Sequence, residues 1–198
     1  MQPDLIPDLA LHRARRERVI EKMVTGVLVM ATAPEVIRNR DAHYPFRYDS
    51  HFHYLTAFPE PEAVLVLVAG PEPKQILFRE KNMEREIWDG FRFGPEAARD
   101  QFRFDATFAY DKLDEELPKL LENQPTLHYA IGFDAAWDAR MLGWLNEVRA
   151  KGRTGINAPA ALLDARTIVD EMRLIKDTHE LALMQRAADI SAAGHRAV

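Results

Sequence analysis

Two histidines, His51 and His53, stand two positions apart in the aromatic run YPFRYDSHFHYLTAFPEP, Tyr44 to Pro61. On a strand, side chains at i and i+2 share a face, so the pair would offer two imidazoles to one ion. A metal needs three or four converging donors. Asp49 stands two positions before His51, and His43 lies further back across a proline. The plainer reading is an edge strand, with Phe52, Tyr54 and Phe58 against the core and Asp49, His51 and His53 toward water. Asp111, Asp114, Glu115 and Glu116 cluster in helical context and are expected to face solvent. No phosphate-cradling glycine loop, nucleophile elbow or HExxH pattern is present. The residues by themselves assemble no catalytic constellation.

Two further side chains stand out by type and setting. Trp88, in REIWDGFRFG, adjoins a glycine-containing polar loop, where a tryptophan is either a lid over the core or a platform for a ligand. Packing on the core is the expected role. Arg153, in KGRTG, lies between glycines, where a guanidinium is solvated or reaches outward to a carboxylate.

The elements that must position these groups alternate between strand and helix. Asp8 to about Met23 reads as a surface helix with Leu9, Ile20, Met23 and Val24 among charges, ended by Gly26. Arg13, Arg15, Arg16 and Arg18, interrupted by Glu17, are expected on its solvated face. Val27 to Met30 reads as a strand. AVLVLVA, Ala63 to Ala69, is apolar on both faces, as in a central strand, and QILF, Gln75 to Phe78, follows at hairpin distance as its antiparallel neighbour. Pro95 to Gln101 and Asp111 to Glu122 read as short helices, the second carrying Pro118. Leu127 to Phe133 reads as a strand, and Asp134 to Ala150 as a helix with Trp137, Met141, Leu142, Leu145 and Val148 along one side. The expected fold class is α/β, a mixed sheet flanked by helices.

DTHE, Asp177 to Glu180, matches a capping box and opens a helix bearing Leu181, Met184, Ala188 and Ala192. That helix meets no later cap, and its apolar stripe has no later element to cover it. Residues from about 172 onward are therefore expected to begin a second domain that continues outside this chain; the alternative on pattern alone is an ordinary C-terminal helix docked on the first domain.

Composition excludes several classes. Net charge is −5 and 47% of residues are hydrophobic, enough for a sizeable core and without the positive field that gathers phosphate backbones. Nucleic acid is not an expected partner. The absence of cysteine removes disulfides, thiolate zinc sites and a cysteine nucleophile. MQPDLIPDLA lacks a signal-peptide layout, and no apolar run reaches about 18 residues, so no membrane association and a cytoplasmic location are expected.

Several stretches together resemble a known family: HYPFRYDSHFHYLTAF, EPEAVLVL, REIWDGFRFG, NAPA and DEMRLIKDTHELALMQRAADI, in that order. From about Leu9 to Val198 the chain resembles the amino-terminal domain of aminopeptidase P, the Xaa-Pro aminopeptidases of the creatinase and prolidase group, and the start of their catalytic domain. The resemblance implies a ribonuclease H-like domain over 1–171 and, over 172–198, the first helix of a pita-bread catalytic domain. It implies release of the N-terminal residue preceding proline by a dinuclear metal centre, usually manganese, whose aspartate, histidine and glutamate ligands all lie in the catalytic domain. None maps here, so this segment alone is expected to be inactive.

In relatives that form tetramers, the N-terminal domain of one subunit overhangs another's active site and contributes a tryptophan and an arginine. Trp88 and Arg153 stand at the matching places, which implies substrate-proximal residues and a homo-oligomer, dimer or tetramer. His51 and His53 then become sheet residues of a non-catalytic domain. His53 departs from the aromatic residue common in relatives, and Ala57 from their glycine. Two alternatives stay open: a stand-alone, non-catalytic interaction module, and a self-contained histidine-based metal hydrolase.

Overall fold

The computed structural model describes residues 8–197. Asp8 caps α1 (Leu9–Met23): its carboxylate accepts from the backbone N–H groups of Ala10 and Leu11 at 3.0 and 3.3 Å. There follow β1 (Gly26–Ala31), the small hairpin of β2 (Ile37–Asn39) and β3 (Ala42–His43), α2 (Ser50–Thr56), β4 (Ala63–Ala69) and β5 (Lys74–Arg79). Next come α3 (Met83–Asp89), α4 (Pro95–Phe102), β6 (Ala106–Ala109), α5 (Leu113–Leu121), β7 (Thr126–His128), α6 (Ala135–Ala150) and β8 (Ala161–Leu163). The last elements are α7 (Ala165–Leu174) and α8 (Thr178–Ala197).

Six strands form one sheet in the order β6-β5-β4-β1-β7-β8. Strand β4 runs antiparallel to both β1 and β5, and the pairs β5–β6, β1–β7 and β7–β8 are parallel. On one face Val27, Val29, Val64, Val66, Ile76 and Phe78 pack with Leu113, Leu117 and Leu121 of α5 and with Met141, Leu145 and Val148 of α6. Alternation sends Leu28, Leu65, Leu67 and Leu77 to the other face, where α1 meets β4 and α4 meets β5. The expected mixed sheet between helices is thus the fold. Where β1 meets β7, Gly26 has φ +107°, and a Cβ there would lie 2.5 Å from the Thr126 carbonyl oxygen, so glycine is required for the approach.

Four local expectations fail for physical reasons. Arg15 and Arg16 are buried, at 5% and 0% exposure, because α1 turns them inward with His12, Val19 and Met23, Arg15 against Tyr54 of α2 and Arg16 among α2, α4 and β5. Leu142 is exposed while Met141, Leu145 and Val148 are buried, because a helix displaces adjacent residues by roughly 100°. The strand expected over 127–133 ends at His128: the Asp138 carboxylate accepts the Gly132 N–H at 3.0 Å, and Gly132 takes φ +81°, bending the chain away. His51 and His53 lie on α2, not on a strand, because Asp49 accepts from the N–H groups of His51 and Phe52 at 2.9 and 2.8 Å and nucleates a helix.

By contacts the chain divides into two compact units, one through Arg166 and one from Thr167. In the second, the capping box at the start of α8 is made: Asp177 N–H donates to Glu180 Oε2 at 3.0 Å and Glu180 N–H to Asp177 Oδ1 at 2.8 Å. Leu181, Met184 and Ile190 of α8 are exposed. Among the described residues, no helix is long and apolar enough to cross a membrane.

Candidate functional site

Trp88 lies on α3, whose start is capped by Asn82 Oδ1 accepting from Glu84 and Arg85 N–H at 3.0 and 3.1 Å. Glu84 and Glu86 in the first turn complement the positive helix end. The indole is 87% exposed, and Met83, Ile87 and Phe91 beside it are exposed as well. A tryptophan lid over the core is therefore overturned: this side chain is presented outward.

Charges hold the segment that presents it. Arg85 donates through both terminal nitrogens to the Glu35 carboxylate at 2.8 and 3.0 Å, a fork-to-fork pair. Glu86 Oε1 accepts the Arg92 N–H at 2.9 Å and pairs with Lys81 at 3.1 Å. Further along, the Glu60 carboxylate accepts from Phe93 N–H at 3.1 Å and from Arg79 at 2.6 Å, while Arg79 Nε donates to the Phe93 carbonyl at 2.9 Å. The Arg85 guanidinium holds the Glu35 carboxyl below its usual range.

Arg153 occupies a 3₁₀ turn, Lys151–Thr154, after α6, between Gly152 and Gly155, and is exposed. Gly155 takes φ +84°, which turns the chain out of the helix. No hydrogen bond, ion pair or ring contact among the described residues joins Arg153 to Trp88. Both are surface residues of the first unit, on separate elements.

The histidines diverge. Positions i and i+2 on a helix point roughly 200° apart. His51 Nδ1 lies 3.8 Å from Asp49 Oδ1. The His53 ring stacks on Tyr48 with centroids 3.7 Å apart and faces His12 at 6.2 Å. Burial is the main cause that pulls His53 down to about 4, helped by Arg47 and Arg15. Burial likewise pulls His12 down to about 4, against the bond from its Nδ1 to the Tyr54 carbonyl at 2.9 Å. A carbonyl only accepts, so Nδ1 carries the proton.

The acidic cluster on α5 makes ordinary contacts. Asp114 accepts from Arg140 Nε and Trp144 Nε1, both at 2.9 Å, while Glu115 and Glu116 pair with Lys119. The side chains of the described residues do not fit a dinuclear metal centre. Among the described residues no group of three or more histidines or carboxylates could hold an ion; Asp49 and Asp134 cap helices, and Glu35 and Glu60 bind arginines.

Sequence reasoning missed a cleft of about 610 Å³ at the carboxyl ends of β1 and β7, lined by Met30, Thr32, Glu35, His51, Tyr129 and Trp137 among others. It follows from the parallel pairing of β1 with β7, since crevices form outside the carboxyl ends of parallel strands, and that pairing is visible only in the structure.

Comparison with known proteins follows the same outline. Residues 12–129 match the family model described as "Aminopeptidase P, N-terminal domain". The chain is 37% identical over 185 residues to an Xaa-Pro aminopeptidase of Escherichia coli strain K12, covering 91% of this chain and 42% of that protein. It is 35% identical over 188 residues to an Xaa-Pro aminopeptidase of Haemophilus influenzae, covering 91% and 40%. The chain thus spans about two fifths of the length of these relatives. Among solved structures it resembles a zinc-substituted E. coli aminopeptidase P in complex with product, at TM-score 0.91 and 35% identity, covering 96% of this chain and 44% of that one. A proline aminopeptidase P II from Yersinia pestis gives TM-score 0.90 at 36% identity, with the same coverages.

Proposed function

The chain belongs to the aminopeptidase P family through its N-terminal domain, and on that premise we propose that it works inside an intact aminopeptidase that releases the N-terminal residue from peptides with proline in second position. In that protein this domain supplies pocket walls and subunit contacts of a homo-oligomer, dimer or tetramer, and residues 172–198 open the catalytic domain. The centre that polarises the scissile carbonyl and activates water, dinuclear manganese on this reading, is held by residues outside this chain.

Trp88 and Arg153 are the substrate-proximal residues of this reading. The observation that carries it is the 87% exposure of Trp88 on a short helix whose apolar neighbours are also exposed. A large aromatic leaves water only where something packs on it, and a peptide beside proline offers the apolar ring and flat amides that indole binds. Arg153 offers a solvated guanidinium to a peptide carboxylate.

The test is kinetic, on the intact enzyme. Trp88→Ala should raise KM or lower kcat for longer Xaa-Pro peptides with metal content unchanged. Arg153→Ala should act in the same direction and more weakly. Kinetics unaltered across peptide lengths in Trp88→Ala would remove this side chain from the pocket.

A further inference from the structure

Helix α3 has seven residues, too few to hold a helix by its own hydrogen bonds, and its exposed apolar side chains give it little hydrophobic anchorage. Glu86 ties it to its sequence neighbours Lys81 and Arg92, and what joins it to the sheet is the forked Arg85–Glu35 pair at 2.8 and 3.0 Å, with the Glu62 carboxylate 3.5 Å from Arg85 as a second ion-pair partner. Glu35 lies in the stretch that leaves β1, a strand buried over Gly26–Met30, so the clamp ties a surface helix to the core. Arg92, 8% exposed, closes the arrangement, with its terminal nitrogens 3.8 Å from Glu35 and 3.7 Å from Glu62.

A bidentate guanidinium–carboxylate contact fixes direction as well as distance. A short helix held through such a fork cannot roll about its axis, and Trp88, three positions after Arg85, inherits that orientation. The clamped side chains are partly sheltered, with 31% exposure for Arg85 and 22% for Glu35, so water screens them less than a fully exposed surface pair.

Resting on the reading of Trp88 as substrate-proximal, we infer that Glu35 and Arg85 are positioning residues for peptide binding: their forked contact sets the angle at which Trp88 meets the substrate. Neither touches substrate. Loss of the fork leaves the indole in place in the sequence but free to rotate with its helix, so binding of the distal part of a peptide weakens while the chemical step is retained.

The experiment uses the intact enzyme carrying fluorotryptophan, with the Trp88 ¹⁹F resonance assigned by its disappearance in Trp88→Phe. Glu35→Gln should shift or broaden that resonance and raise KM for longer Xaa-Pro peptides by about threefold or more, with kcat within about twofold. Combined with Trp88→Ala, Glu35→Gln should add no further loss, because both act through one side chain. Arg85→Lys, which keeps the charge but not the fork, should reproduce the KM effect and serves where Glu35→Gln does not fold. An unchanged Trp88 resonance in both variants, or losses that multiply in the double variant, would overturn the inference. If Trp88→Ala leaves kinetics unchanged, it is the pocket role of Trp88 that fails; the resonance still decides whether the clamp orients it.

Discussion

Helices α1 and α3 reverse the usual distribution of polarity, in opposite senses. Helix α1 carries Arg16 to complete burial, where Nε donates to Gln75 Oε1 at 2.7 Å and the terminal nitrogens donate to the carbonyls of Leu55, Phe102 and Arg103 at 3.0, 2.9 and 3.1 Å. Leu55 and Phe102 lie in the last turns of α2 and α4, so one guanidinium satisfies the orphan carbonyls of two helix ends and meets their negative poles. Helix α3 does the reverse: its apolar residues face water and its charged Arg85 points to the protein. A charge goes inside when backbone acceptors wait there, and an apolar side chain stays outside when the fold presents it for contact.

The strongest way to break this contrast is at Arg16. Burial pulls its pKa down to about 9, which keeps it protonated at neutral pH. Arg16→Ala strands the Leu55 and Phe102 carbonyls and the Gln75 amide oxygen in the interior, while the Arg103 carbonyl keeps its bond from Arg13 at 2.9 Å; each stranded group is worth about 1–3 kcal/mol when unpaired, so a loss of about 3–5 kcal/mol is expected after partial relaxation and water entry. The urea midpoint at pH 7 measures it. A loss under about 1 kcal/mol would mean the carbonyls find other partners, and α1 would then be an ordinary surface helix.

Acid sharpens the contrast at a second point on the same side of the molecule. His12 and His53 are held near 4, below their ordinary 6.5, chiefly by burial, with Arg15, Arg16 and Arg47 as the cationic groups facing them. The unfolded chain therefore binds protons first. The stabilisation is complete above about pH 6.5 and is lost as pH falls toward 4. His12 accounts for up to ~3 kcal/mol of it, and His53, less deeply buried, for less. Urea midpoints compared at pH 7 and 4.5 check this, and His12→Asn, which can still donate to the Tyr54 carbonyl, should flatten the pH dependence.

What the sequence disclosed and concealed follows the same division. The apolar strands were legible because Val64–Leu67 and Val27–Val29 are buried on both faces and admit no polar alternative. The burial of Arg15 and Arg16 was not, because hydropathy scores the arginine and not the carbonyls awaiting it. The stripe was nevertheless present in spacing: His12, Arg16, Val19 and Met23 recur at three to four residues. The histidine pair misled because alternating aromatics imitate a strand, although Asp49 before Phe52 and Leu55 is a helix start. Trp88 could be picked out by residue type, but the Glu35–Arg85 clamp joins residues 50 apart, a pairing visible only once β1 and α3 are in place.

On the exposed side, substitution should barely register in stability. Ile87, 78% exposed, can become serine with a change within about 0.5 kcal/mol in urea unfolding. A loss above about 1 kcal/mol would show that α3 is packed on something in solution, and size-exclusion of the variant against the parent would identify a second copy as that something.

The smallest effect is expected at Ala57, where two costs nearly cancel. This residue ends α2 with φ 55° and ψ 9°, a left-handed conformation that glycine adopts freely and alanine at roughly 1–2 kcal/mol. Its methyl is also buried, at 2% exposure, which is worth about 0.8 kcal/mol. Glycine would in addition loosen the unfolded chain by about 0.4–1 kcal/mol. Relief of strain is thus offset by the lost burial and the looser unfolded chain taken together, and Ala57→Gly should move the urea midpoint by less than the equivalent of about 0.5 kcal/mol. A gain above about 1 kcal/mol would mean that backbone strain outweighs burial at the end of α2, beside the very carbonyl that Arg16 holds. In that case the interior of α1 and α2 would owe its geometry to the arginine more than to the packing around it.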